Sequence, residues 1–196
     1  MVYFLKCYSF INQFAVKILE KMQYLTLFCL AVGKSSNADV VCVTESWLNN
    51  NIPDDLISIH GYTIHRRDRL DARRGGGLVF FVNNKISCTR PTDLESLKHE
   101  AMWLLYRYQR MPRCTTRILI GLVYHPPNGD NYACPSYIIE TLDSVFKRHP
   151  SAETILLGDF NKLDDRSLLS FPLRQLVNAP ARGLSILDKI YSNIHN

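Results

Sequence analysis

Residues 39–44 read Asp-Val-Val-Cys-Val-Thr, and similar short apolar runs recur at 78–82, 101–108, 117–124 and 154–157. Such runs are too short to be stable helices. They also lack the in-out alternation of a strand with one wet face, so each reads as a strand buried on both faces. A chain that must cover both faces of several strands needs a large core. At 196 residues and 46% hydrophobic content it has the material for one domain of that kind. Charged residues at 21% complete an ordinary globular composition, which excludes a disordered, collagenous or coiled-coil chain.

Other segments are less uniform. Ile18, Met22, Leu25, Cys29 and Val32 follow a four-three-four-three spacing that predicts a helix over residues 14–32, with Gly33 as its C-cap. Residues 62–65 alternate as a short strand. Asn83-Asn84 has the chemistry of a hairpin turn, with residues 86–89 returning from it. Residues 137–146 have helical spacing, Pro150 follows their end, and residues 185–191 form a final strand candidate. The pattern predicts an α+β domain built around packed sheets.

The uncharged N-terminal stretches are cut by Lys17, Glu20 and Lys21 and do not reach the roughly 18 residues of a membrane span. No small-residue cleavage site of a signal peptide follows the first of them. The six cysteines form no CxxC pair and have no histidine at zinc-finger spacing; Cys29 and Cys42 lie in apolar runs, as reduced thiols do. The expected location is intracellular, nuclear or cytoplasmic, without a membrane and with no protein partner inferred.

Polar residues cluster just past the buried runs: Glu45 after 40–44, Tyr124 at the end of 117–124, Asp159 and Asn161 after 155–157. Side chains at strand ends are held by the sheet while their tips reach a common crevice, a good foundation for a rigid catalytic constellation. Each also has an ordinary reading, as a solvated acid, an amphipathic rim residue or a turn former. The net charge of +5 concentrates in residues 66–74, where Arg66, Arg67, Arg69, Arg73 and Arg74 face only Asp68 and Asp71, a local excess of 5 − 2 = +3. That stretch suits contact with a polyanion, or an internally paired solvated loop. Gly75 to Gly77 lack the Lys-Ser/Thr of a P-loop and read as a flexible entry to the next strand. Trp47 and Trp103 read as packing anchors.

Taken in order, Thr44-Glu45-Ser46-Trp47-Leu48, Gly61-Tyr62, Arg66-Arg67-Asp68-Arg69, Arg74-Gly75-Gly76-Gly77, Val123-Tyr124-His125-Pro126-Pro127 and Leu157-Gly158-Asp159-Phe160-Asn161 resemble the endonuclease domain of non-LTR retrotransposons. That domain belongs to the endonuclease/exonuclease/phosphatase superfamily, which includes deoxyribonuclease I. The resemblance implies a four-layer sandwich of two packed, mostly antiparallel sheets flanked by helices. The resemblance runs from about Asp39 to Asn193, and the expected domain spans residues 34–196, after a divergent helical segment at 1–33. It also implies Mg²⁺ (or Mn²⁺) held by Glu45, a phosphate contact from Tyr124, water and leaving-group chemistry from Asp159 and Asn161, and an orienting carboxylate at Asp188. Arg66, Arg67, Arg69, Arg74 and His125 are the implied DNA contacts.

Two departures stand beside the matches. The family's closing Ser-Asp-His does not occur before Asn196, so the fold is expected to be incomplete at the C-terminus. At the other end only Asn12 lies near the position of the family's first metal-site Asn. The activity implied is Mg²⁺-dependent nicking of DNA by an activated water. The alternatives are a catalytically dead fragment that at most binds nucleic acid, and a phosphatase or lipid phosphodiesterase on the same fold.

Overall fold

Every buried run anticipated above forms a strand, and the strands assemble into two sheets. The computed structural model describes residues 3–7, 14–20, 38–69, 75–107, 117–177 and 187–194, the first two segments by backbone alone. The chain divides into two compact units, residues 1–86 with 196, and residues 87–195.

The first unit holds a five-stranded sheet of β1 (Tyr3–Cys7), β2 (Phe14–Glu20), β3 (Val40–Thr44), β4 (Tyr62–Arg67) and β5 (Leu78–Asn83), ordered β1-β2-β3-β5-β4. Only β2 and β3 run parallel. All five residues of β3 and the first five of β5 are buried, as expected of strands covered on both faces. Val41, Val43, Val79 and Phe81 pack with Leu48, Ile57 and Ile59 into one core cluster. The helix expected from residue 14 is corrected over its first seven positions, which form β2. In Phe-Ala-Val-Lys-Ile-Leu-Glu five of seven side chains are apolar, so helical and strand spacings both fit and the β-branched Val16 and Ile18 tip the backbone to a strand. Residues 21–37, with Met22, Leu25, Cys29 and Val32, lie outside the described residues.

The second unit holds a six-stranded sheet of β6 (Ser87–Thr89), β7 (Glu100–Arg107), β8 (Arg117–Tyr124), β9 (Ala152–Asp159), β10 (Arg174–Gln175) and β11 (Asp188–Ser192), ordered β10-β11-β9-β8-β7-β6. Here β8 and β9 are parallel, joined through α1 (Ala133–Arg148), and the other pairs are antiparallel. The hairpin expected at Asn83-Asn84 does not form, because β6 pairs with β7 instead of returning along β5. Helix α1 begins four residues earlier than its periodicity suggests: Asp130 Oδ1 accepts the Tyr132 and Ala133 amides, and Pro135 is tolerated in the first turn. Its buried face of Cys134, Ile138, Leu142 and Val145 packs with Trp103, Leu119, Leu156 and Phe160. Trp103 is the anchor expected, fully buried, its indole donating to Tyr137 Oη at 2.8 Å.

Cys42, Cys88 and Cys134 are free thiols. Among the described residues no helix is long and apolar enough to cross a membrane. Two mostly antiparallel sheets with few helices make this an α+β fold.

Candidate active site

In the second unit the sheet register carries the site. Tyr124 on β8 is the Cα partner of Asp159 on β9, and Asp159 is the partner of Asp188 on β11. Directly paired residues project to the same face of a sheet, so the three side chains form one row across three adjacent strands. All three are buried, Asp188 at 1% exposure and Asp159 at 9%. The row continues to Glu100, the first residue of β7 and partner of Tyr124. Sequence reading missed Glu100 because it started that strand one residue late, although a Glu flanking an apolar run was the signal that singled out Glu45.

The end of β9 is shaped by two backbone features. Gly158 has φ +141°, and a Cβ there would lie 1.8 Å from the Val123 carbonyl oxygen, so β8 and β9 approach as closely as only glycine permits. Asn161 has φ +44°, a left-handed conformation that Asn tolerates better than most residues. Its amide N–H donates to Asp159 Oδ1 at 3.0 Å and its side-chain Nδ2 donates to the His125 carbonyl at 2.7 Å. The His125 amide in turn donates to the Asp159 carbonyl at 2.9 Å. Asp159, Asn161 and the residue after Tyr124 are thereby locked together.

That lock also fixes His125, expected above among the DNA contacts. Its ring is buried, pairs through Nε2 with Asn131 Oδ1 at 2.9 Å, and lies where a side chain on Gly129 would go. His125 holds the loop between β8 and α1.

In the first unit, Glu45 follows β3 in a sharp turn. Glu45 and Trp47 have φ of +52° and +55°, and with Asn161 they complete the positive-φ non-glycine residues described. Left-handed backbone at such side chains costs about 1–3 kcal/mol and persists only where the surroundings enforce it. Here the enforcement comes from the glycines: Ser46 N–H donates to the Gly77 carbonyl at 3.0 Å and Trp47 N–H to the Gly76 carbonyl at 2.9 Å. Gly75 to Gly77 all have positive φ, and a Cβ on Gly77 would lie 2.6 Å from Ser46 Oγ. The glycine run expected to be a flexible entry is a clamp on the Glu45 turn.

Arg66 is also reassigned. Its guanidinium donates to Asp68, to Asp54 Oδ1 at 2.8 Å and to the carbonyls of Ile52 and Asn49 at 2.7 and 2.9 Å. Hydrogen bonding to Asp68 reinforces its charge, and the side chain is 16% exposed. Arg66 ties β4 to the loop after the Glu45 turn. Arg67 and Arg69 remain candidates for phosphate contact; Arg74 lies outside the described residues.

A metal would find a modest set of ligands. Among the described residues no three His, Cys, Asp or Glu side chains group closely enough to cage an ion. Glu45 is half-buried on a backbone that cannot relax. One fixed carboxylate fits Mg²⁺, which keeps most of its waters, and does not fit Zn²⁺ or a tightly held Ca²⁺.

Known structures share this fold at low identity. The endonuclease domain of TRAS1, a telomere-specific non-LTR retrotransposon, matches with a TM-score of 0.65 and 13% identity over 91% of this chain and 84% of its own. AP endonuclease LMAP from Leishmania major matches at 0.58 with 17% identity, covering 87% and 73%. ANGEL2, a 2',3'-cyclic phosphatase, matches at 0.54 with 13% identity, covering 88% and 75%. Among curated proteins none matches the sequence. The family model described as Endonuclease/Exonuclease/phosphatase family matches residues 20–193, and the chain belongs to that family, whose members are hydrolases such as endonucleases.

Proposed function

We propose that this protein is a Mg²⁺-dependent phosphodiesterase that nicks DNA by attack of water on a backbone phosphate. The observation that supports this reading best is the row Tyr124–Asp159–Asp188, with Asn161 pinned beside it. In this reading the Tyr124 hydroxyl donates to a phosphate oxygen. The Asp159 carboxylate, its rotation fixed by the Asn161 amide, orients the attacking water and accepts its proton. The Asn161 side chain hydrogen-bonds the scissile phosphate, and Asp188, the register partner of Asp159, adds a second buried carboxylate beside it. Mg²⁺, when bound, neutralises charge developing on the phosphate, and Glu45 is the residue that would hold it. DNA is favoured as substrate by the basic stretch at 66–74, whose five arginines against two aspartates suit contact with a phosphate backbone.

The row brings carboxylates and a phenol to the phosphate but no imidazole, so nicking is expected to be slow. The test is relaxation of supercoiled plasmid by purified chain with Mg²⁺. Slow nicking that Asp159→Ala abolishes and Glu45→Ala strongly reduces, with thermal melts unchanged, is expected. Equal nicking by wild type and Asp159→Ala, or none by folded wild-type chain, would overturn the reading.

A further inference from the structure

A second feature of the 87–195 unit lies beside this row. An open cleft of about 580 Å³ runs between the start of α1 and the short helical turn Arg166–Ser170, lined by Asn131, Tyr132, Ser136, Asp164, Arg166 and Ser167. Its size is that of a small-molecule site, and beside the apolar Pro135 and Ile139 its lining offers an aromatic ring, two hydroxyls, a guanidinium and a carboxylate. It reaches the catalytic row through Asn131, which holds the His125 ring, and His125 is bonded to Asp159 and Asn161.

Tyr132 is 83% exposed, the one aromatic among the exposed large apolar side chains described. Its backbone is fixed: the amide donates to Asp130, and the carbonyl accepts the Ser136 hydroxyl at 3.0 Å. The opposite wall is fixed as well, because Asp165 accepts hydrogen bonds from Lys189 and Tyr191 on β11. Arg166 is 85% exposed and pairs with Asp164 at 2.6 Å, a surface pair of the kind that a phosphate readily displaces.

We infer that this cleft is a nucleotide subsite: the ring of Tyr132 stacks on an unpaired base of the nucleic-acid substrate next to the scissile phosphate, and Arg166 binds that nucleotide's phosphate. The inference rests on the nuclease reading above and adds to it a contact with a base. An exposed aromatic on a rigid backbone is a sequence-tolerant platform for single-stranded bases, and a guanidinium beside it supplies the backbone contact. The base must be unstacked to reach the ring, so the preferred substrate is single-stranded or locally opened.

The experiment uses the full chain with Ca²⁺ replacing Mg²⁺ and fluorescein-labelled single-stranded DNA read by anisotropy. A series in which one abasic position moves along the strand locates the stacked base. Wild type is expected to lose roughly tenfold in affinity at one position, as loss of a base–aromatic stack implies. Tyr132→Ala is expected to bind about tenfold more weakly and to show no abasic penalty, while Tyr132→Phe retains both. Arg166→Ala is expected to flatten the salt slope by about 0.7. Asp164→Asn, which can still accept the Arg166 amide of its turn, is expected to bind more tightly. Unchanged affinity in Tyr132→Ala, or an abasic penalty that persists in it, would overturn the subsite while leaving the nuclease reading intact. Failure of wild type to bind DNA at all would overturn both.

Discussion

The two regions that carry the candidate chemistry are built by different physics. In the 87–195 unit, Tyr124, Asp159 and Asp188 are placed by the ladder itself: three neighbouring strands are in register, and each residue takes its direction from the pleat. In the 1–86 unit, Glu45 stands outside the ladder, on a left-handed backbone that two hydrogen bonds from a glycine run keep in place. The first arrangement shares its support with the core of its sheet. The second stores strain locally and depends on a few contacts. Damage to the row is therefore expected to be global, and damage to the Glu45 turn local.

The strongest way to break the first half of that comparison is Gly158→Ala. The new Cβ would lie 1.8 Å from the Val123 carbonyl oxygen, against backbone that cannot give without parting β8 from β9. A loss of about 4 kcal/mol or failure to fold is expected from overpacking and strain combined. Urea unfolding measures it, and a loss under 1 kcal/mol would show that the sheet yields where the register says it cannot.

Arg66→Ala comes next, with an expected loss of about 2–4 kcal/mol, since it leaves two backbone carbonyls and the largely buried Asp68 without their charged donor. The salt slope of DNA binding is expected to stay unchanged in this variant, whereas Arg67→Ala and Arg69→Ala flatten it without unfolding the chain. A flattened slope in Arg66→Ala would return that residue to the binding surface.

Gly77→Ala sharpens the second half. Positive φ and the approach to Ser46 Oγ are expected to cost about 1–3 kcal/mol, largely confined to the Glu45 turn. Mg²⁺ affinity measured by calorimetry is expected to fall in step with nicking, while amide exchange along β8 and β9 stays as in wild type.

The smallest effect concerns Cys134 on α1. Burial, reinforced by the charge of Asp130, pushes its thiol up from 9.0 to about 12. The unfolded thiol ionises at the lower value and the folded one at the higher, so the associated stability is complete below about pH 9 and declines as pH rises from there toward 12. Alkylation by iodoacetamide at pH 8 is expected to track unfolding, and Cys134→Ala is expected to shallow the alkaline decline in melting temperature. Rapid alkylation of Cys134 itself in native chain, read by mass spectrometry of its peptide, would contradict this burial.

Much of the fold was readable from local pattern, and so was the placing of Tyr124, Asp159 and Asn161 at strand ends, whereas Asp188 was singled out only by the family resemblance. Continuous apolar runs specify strands covered on both faces, and Tyr124, Asp159 and Asn161 lie at or just beyond their ends. The failures share one cause. Phe14–Glu20 is apolar at five of seven positions, so it holds no period to choose strand over helix until β3 supplies a partner. Asn83-Asn84 has turn chemistry, but chemistry of that kind does not name the strand that follows, and β6 joins the other sheet.

Local sequence was enough for the continuous apolar strands β3, β5, β7, β8 and β9 and for the residue types at their ends, because these follow from hydrophobicity and backbone propensity within a few residues. Tertiary contacts were needed to bring Glu100 into the row, to seat the His125 ring on Asn131 and the Arg66 guanidinium on Asp54 and Asp68, and to clamp Glu45 with Gly75 to Gly77. Most of those contacts join segments distant in the chain. A hydrogen bond from Arg66 to the carbonyls of Asn49 and Ile52, or from Trp47 to Gly76, depends on distance and direction in space, which no local pattern encodes.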